Sequence, residues 1–145
     1  MRGRLLRAAL LVLRLAVAAV LVYAGWVKLR QPPLLFALEV DSYQLLPSWA
    51  VLALAYALPW VELGLGLWLA SGLAAAWSAT AATLLLGTFF GVVLRTYLKG
   101  LEINCGCFGP SEPLTRWTVV RDGLLVVMAL VTAAGAWWQR RRRAA

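Results

Sequence analysis

Four long apolar runs, separated by short polar intervals, are the main pattern along this chain of 145 residues. Each run has roughly 20 residues, enough for a helix to cross the hydrocarbon core of a bilayer. Because a minimal turn at Ser71 and Gly72 separates the second and third runs, we expect these helices to be antiparallel neighbours. The predicted spans are about 8–27, 49–70, 72–94 and 118–138.

The first apolar run also resembles a secretory signal peptide, because three arginines precede it and Ala16–Ala18 resembles a cleavage site. Arg14 lies inside the run, however, and the apolar residues continue to Val27. We therefore interpret the run as an uncleaved helix.

The interval 28–47 carries a weaker helical pattern. Pro32 and Pro33 suit the first turn of a helix, and several leucines offer an apolar side while Glu39 and Asp41 are polar. We predict a short interfacial helix over the bundle mouth, with an irregular loop as the alternative.

Composition agrees with a membrane protein, since 63% of the residues are hydrophobic and soluble domains have about half. We expect one membrane domain over residues 1–145. The predicted fold is an all-α integral membrane protein, a four-transmembrane-helix antiparallel bundle with a short outer interfacial helix and a Cys-Gly-Cys loop between helices 3 and 4. In the third span, Gly87 and Gly91 form a Gly-x-x-x-Gly step that favours close helix packing.

The net charge of +8 comes largely from arginines at the two termini: Arg2, Arg4 and Arg7 before the first run and Arg140–Arg143 after the last. Basic residues at span ends are a topology signal, so we expect no nucleic-acid partner. Both termini are predicted to be cytoplasmic, in the cytoplasmic (inner) membrane. The cysteine loop then lies on the outer, oxidising face, where disulfide chemistry belongs.

Glu62 lies deep in the second span, where an ionisable residue is a functional hypothesis by default. Residue counting from the cytoplasmic ends puts Arg14 at a comparable depth, which makes an Arg14–Glu62 ion pair geometrically reasonable. The alternative is that Arg14 extends to the headgroups. Lys28 becomes the partner of Glu62 only if Pro59 kinks the helix or water enters. A structural ion pair is favoured over a catalytic Glu62.

Cys105 and Cys107 are the only cysteines, and they flank Gly106. Such a pair can close a disulfide only through a tight turn, whose backbone angles glycine permits. A strained, exposed disulfide exchanges readily, whereas a one-residue loop gives almost no entropic stabilisation. The spacing favours a redox-active pair, with Cu(I) held by two thiolates or an inert pair as alternatives. Zinc normally takes four ligands, and this chain offers two thiolates and no histidine, so we expect no zinc. The near absence of methionine weighs against copper, and we expect no resident metal.

Five elements resemble, in order, a known family pattern. They are Ala24-Gly25 with Lys28, Tyr43 to Pro47, Leu58-Pro59 with Glu62 and Gly64, Cys105-Gly106-Cys107-Phe108-Gly109, and Arg121 heading the last span. Together they resemble the MauE branch of the DoxX-like membrane proteins, named for methylamine utilisation. The resemblance implies a four-helix membrane bundle acting beside periplasmic thioredoxin-like proteins in thiol–disulfide transfer.

A looser likeness links the chain to four-helix redox proteins of the vitamin K epoxide reductase and DsbB type. Those proteins pass electrons from cysteines to a quinone bound in the bundle. This chain departs from them, because it has one cysteine pair and the spacing is Cys-x-Cys.

We therefore predict a membrane thiol–disulfide redox component with Cys105 and Cys107 as the reactive residues. It would exchange electrons between an extracytoplasmic thioredoxin-like protein and a quinone or other thiol acceptor. The alternatives are a non-catalytic membrane anchor or maturation factor for a thioredoxin-like partner, and a Cu(I)-handling membrane protein. Supporting roles are expected for Gly106, Phe108, Glu62, Lys28, Arg14 and Arg121.

Overall fold

The computed structural model describes residues 1–109 and 111–145, and the described chain is helical over most of its length. Four of the helices are long and apolar enough to cross a membrane, which confirms the four-span prediction. Three of them exceed the predicted spans at both ends because polar turns extend the helices beyond the apolar runs, whereas the third in chain order begins at Ala75, after the predicted start at residue 72, and continues to Leu98. The helices are α1 Arg2–Arg30, α2 Pro33–Asp41, α3 Ser48–Ser71, α4 Ala75–Leu98 and α5 Arg116–Ala144.

The connector after α1 contains the short helix that the sequence predicts, with Pro33 in its first turn. Its buried residues, Phe36 and Ala37, pack against Val51, Ala55 and Leu58 of α3. The alternative of an irregular loop is therefore wrong for Pro33–Asp41, because apolar burial fixes α2 on the bundle.

Two glycines bring α1 and α3 into close contact. A Cβ at Gly25 would lie 2.7 Å from the Pro59 carbonyl, and one at Gly66 would lie 2.7 Å from Val22. At Gly87, by contrast, and likewise at Gly91, a Cβ would meet no other described atom within 4 Å. The predicted glycine step on α4 therefore forms no close helix contact in the described chain.

The bundle has two distinct ends. At one end, called the terminal end, Leu10 of α1 packs against Gly135 of α5, and Trp137 donates a hydrogen bond to Thr80 of α4 at 3.0 Å. The turn after α3, closed by Gly72 with a φ of +76°, lies at the same end. The opposite end, called the loop end, holds α2 and the loop 99–115 between α4 and α5.

Helix pairing in the bundle is uneven. The α1–α3 and α4–α5 pairs pack extensively, whereas α3 and α4 touch much less. The minimal turn makes α3 and α4 antiparallel, as expected, but it does not press them together. A seam between these two helices therefore separates two tightly packed pairs.

Candidate functional site

Cys105 and Cys107 form a disulfide across Gly106, at the loop end between the third and fourth spanning helices, α4 and α5. Gly106 has a φ of +65°, and a Cβ there would lie 2.6 Å from Glu39 Oε2 on α2. The left-handed backbone and the nearby carboxylate both favour glycine at this position.

Backbone hydrogen bonds fold the cysteine loop back on itself. The Cys105 N–H donates to the Glu112 carbonyl at 2.7 Å, and the Leu114 N–H donates to the Ile103 carbonyl at 2.9 Å. These bonds pair 103–105 with 112–114. The disulfide therefore sits on a short folded turn that the rest of the bundle can hold.

Both cysteine carbonyls are held by side chains from elsewhere in the chain. Lys28 Nζ donates to the Cys107 carbonyl at 2.8 Å, and the Tyr43 hydroxyl donates to the Cys105 carbonyl at 2.9 Å. Burial, with the carboxylates of Asp122 and Glu39 nearby, raises the pKa of Tyr43 above its usual value. The hydroxyl therefore stays protonated and remains a donor.

Glu62 pairs with Lys28 and not with Arg14. Lys28 Nζ lies 2.9 Å from both Glu62 carboxylate oxygens, and both side chains are buried, at 3% and 2% exposure. Because helical side chains lean towards the N-terminus of their own helix, those of antiparallel α1 and α3 converge in this register. Residue counting alone missed this convergence.

Arg14 points away from Glu62, towards the terminal end. Its guanidinium lies beside Gly72, where a Cβ would be 3.0 Å from one terminal nitrogen. The predicted Arg14–Glu62 pair is therefore wrong, because each side chain leans towards the opposite end of the bundle. Arg14 takes no part in the cysteine site.

Asp122 of α5 is the carboxylate beside the disulfide. Its Oδ2 lies 3.9 Å from Cys107 Sγ, while Oδ1 accepts a hydrogen bond from Arg121 Nε at 3.1 Å. Arg121 also forms an ion pair with Glu112 of the loop. One arginine thus ties the start of α5 to the cysteine loop and orients the carboxylate next to the sulfur.

Phe108 anchors the loop to two spanning helices. The Arg121 guanidinium carbon lies 4.4 Å from the centre of its ring, a cation–π geometry. Tyr23 of α1 stacks on the same residue, with ring centres 6.1 Å apart. The structure therefore brings Phe108, Arg121, Lys28 and Glu62 together around the disulfide.

Tyr43 belongs to one of the family-pattern elements, but its contact with Cys105 was not predicted. Three carboxylates to which the sequence assigned no role in the site also contribute: Glu39, Glu112 and Asp122. The chain contains six acidic residues, and these three carboxylates gather with Glu62 around one loop. The scarcity of carboxylates in such an apolar chain was the signal that could have marked them as site residues. Their convergence could not be seen, because they lie on three helices and a loop.

The same cluster offers three atoms that could hold a metal ion. One ligand atom each from Cys105, Cys107 and Asp122 lies within 4.8 Å of the others. Thiolates are the sulfur species that bind metals, so the disulfide must first be reduced. The cluster can thus either exchange electrons or, in its dithiol form, coordinate a soft ion.

An apolar cavity of about 340 Å³ lies beneath the loop, among the helices. The disulfide forms part of its wall, together with Lys28, Glu62 and Asp122. Most of the remaining lining is aliphatic or aromatic, including Phe36 and Phe89. The disulfide therefore borders both the loop surface and an apolar interior space.

Comparison with known proteins agrees with the resemblance seen in the sequence. Residues 6–137 match the family model described as methylamine utilisation protein MauE. The methylamine utilization protein MauE of Paracoccus denitrificans is 33% identical over 126 residues, which is 85% of this chain and 67% of that protein. No solved structure matches. Because the family match runs from α1 into α5, this multi-pass membrane protein belongs to the MauE family.

Proposed function

We propose that the protein is a membrane thiol–disulfide redox component that works through Cys105 and Cys107. The observation that carries this proposal is the disulfide itself, closed over one residue and held by donors on both cysteine carbonyls. A one-residue loop contributes little stability. Because this disulfide stabilises the fold so little, the hydrogen bonds that hold its backbone favour a reactive role over a structural one.

The proposed exchange passes through a mixed disulfide. A thiolate of an extracytoplasmic thioredoxin-like protein attacks one sulfur, and its second thiolate then releases the partner in oxidised form. Cys107 is partly exposed, whereas Cys105 is buried, so Cys107 is the proposed point of attack. The resulting dithiol passes two electrons and two protons to a quinone or to another thiol protein.

The loop end is proposed to face the outer side of the cytoplasmic membrane. Arginines cluster at the terminal end, and basic residues favour the cytoplasmic side. The polar segments at the loop end are too short to form a thioredoxin-like domain. The partner is therefore proposed to be a separate protein.

Thiol trapping in intact cells tests the redox proposal. A membrane-impermeant, mass-shifting reagent should label Cys105 and Cys107 only after reduction, and the C105S/C107S variant should stay unlabelled. Labelling without prior reduction would contradict a resting disulfide. Normal client disulfide formation by C105S/C107S would leave the role of a non-catalytic anchor or maturation factor.

Cu(I) handling is the second candidate, favoured by the convergence of Cys105, Cys107 and Asp122. Purified, reduced protein titrated with Cu(I) against a competing chelator tests it. Binding that is tight in the wild type and lost in C105S/C107S would support copper handling. Redox cycling with a thioredoxin-like protein, without such binding, would exclude it.

A further inference from the structure

The seam between α3 and α4 connects the cavity to the lipid-facing surface. A groove of about 550 Å³ runs along this seam, lined by Val61 and Trp68 of α3 and Leu84 of α4, all exposed. Leu85 and Thr88 line both the groove and the cavity. The cavity beside the disulfide and the lipid-facing groove therefore adjoin each other at Leu85 and Thr88.

The two spaces differ in what they would accept. The cavity is compact and bordered at one end by the disulfide, Lys28 and Asp122. The groove is open to the surface and almost wholly apolar: of the described residues that line it, only Thr88 brings a hydroxyl, which already donates to the Leu84 carbonyl at 2.8 Å. These two linings suit a compact head joined to a hydrocarbon tail, the head lying against the sulfurs.

We propose that this combined site binds an isoprenoid quinone, with its ring in the cavity and its tail in the α3–α4 groove. The inference rests on the proposed function, which needs an acceptor for the electrons of the dithiol. As the Cys105–Cys107 bond forms, the two thiols release two electrons and two protons. The quinone takes up both and leaves along the seam as a quinol.

Photolabelling tests the site on the full-length protein in quinone-free lipid nanodiscs. An azido-ubiquinone with a short isoprenoid tail should form adducts on α3 and α4 near Leu58, Leu85 and Phe89. Tailed ubiquinone should compete about tenfold better than the tailless ring, because the groove would bury the tail.

A tryptophan at Thr88 would fill the junction between groove and cavity. Thr88 is exposed, so Thr88→Trp should fold, while labelling falls about tenfold or more because the indole occludes the junction. The matched control is Val127→Trp on the exposed face of α5, which should label like the wild type. Equal labelling of the two variants, or wild-type adducts spread over all lipid-facing helices, would overturn the site.

Failure of the site and failure of the proposed function give different results. Thiol exchange with a thioredoxin-like protein without cavity adducts would overturn the quinone site and leave the redox function in place. Adducts at the predicted positions with a dithiol that does not reduce the bound quinone would support binding and refute the electron transfer. Phospholipid co-purifying in the groove and resisting displacement by ubiquinone would overturn the proposed occupant.

Discussion

Single residues hold the disulfide in place, and each acts from a different part of the chain. Lys28 comes from α1, Tyr43 follows α2, and Arg121 lies in the second turn of α5. No one contact is strong by itself, because a net hydrogen bond contributes only about 1 kcal/mol. The loop geometry therefore depends on several weak contacts acting together.

Gly106→Ala should destabilise the loop and slow closure of the disulfide. The left-handed backbone alone costs a non-glycine residue about 1–2 kcal/mol, and the new methyl group would also meet Glu39. Gly100→Ala is the matched control, because Gly100 has a φ of +69° but open space around it. Thermal unfolding measures the stability of both variants. The fraction of oxidised protein at a fixed time after reduction and reoxidation measures how fast the disulfide closes. Equal effects would show that the contact with Glu39 is unimportant.

Lys28→Met should destabilise the protein by about 3–5 kcal/mol, because it leaves Glu62 buried without a partner. The double variant Lys28→Met/Glu62→Leu should recover much of this loss, since an apolar pair needs no charge compensation. Unfolding in detergent micelles gives the comparison, with exposed Lys99→Met as control. A double variant no more stable than the single one would mean that the hydrogen bond to Cys107 dominates.

Tyr43→Phe should lower stability by about 1 kcal/mol at neutral pH through loss of the hydrogen bond to Cys105. The raised pKa of Tyr43 means that the folded protein keeps this proton after the unfolded chain has lost it. The wild type should therefore lose its advantage over Tyr43→Phe as pH rises above about 10. A constant difference across that range would contradict the buried, protonated hydroxyl.

At the scale of helices, glycine positions decide which helices approach. Gly25 and Gly66 bring α1 and α3 together and thereby set the register of Lys28 against Glu62. Among the described residues no glycine makes such a contact between α3 and α4, so these helices part and leave the groove. Close packing of α1 on α3 thus positions Lys28 and Glu62, and loose packing of α3 on α4 leaves the groove beside them.

Gly66→Ala should destabilise the protein by about 1–3 kcal/mol, because its methyl group would press on Val22 and the α1 backbone. Gly64→Ala is the control on the same helix, since a Cβ there meets nothing within 4 Å among the described residues. Thermal unfolding of both variants in one detergent tests the contact. Similar losses would show that the effect comes from α3 itself.

At the scale of the whole molecule, the two ends carry different chemistry. Arginines and tryptophans meet at both ends: Arg142 lies 4.0 Å from the centre of the Trp138 ring at the terminal end, and Arg30 lies 5.5 Å from the centre of the Trp26 ring at the loop end. Carboxylates and the disulfide gather at the loop end. Because the carboxylates and the disulfide lie at one end of the bundle, the membrane orientation decides which compartment the proposed redox site faces.

Introduced cysteines should report that orientation. In the C105S/C107S background, Glu102→Cys at the loop end should react with an impermeant thiol reagent in intact cells. Ala144→Cys should react only after the membrane is permeabilised. Both native residues are exposed, so access to the thiol depends on the side of the membrane. The reverse pattern would place the disulfide in the cytoplasm and contradict the proposed partner.

The four spans, a closable Cys-Gly-Cys turn and the family resemblance could be predicted from the sequence, which left the connector after α1 open between a short helix and an irregular loop. The predicted features depend on local signals, namely apolar run length and residues adjacent in the chain. The folded bundle shows in addition that Glu62 pairs with Lys28, and that Tyr43 and Asp122 meet the cysteines. Those contacts depend on helix register and on side-chain direction. Close approach at Gly25 and Gly66 determines the register of α1 against α3. Counting residues along separate helices does not capture this register.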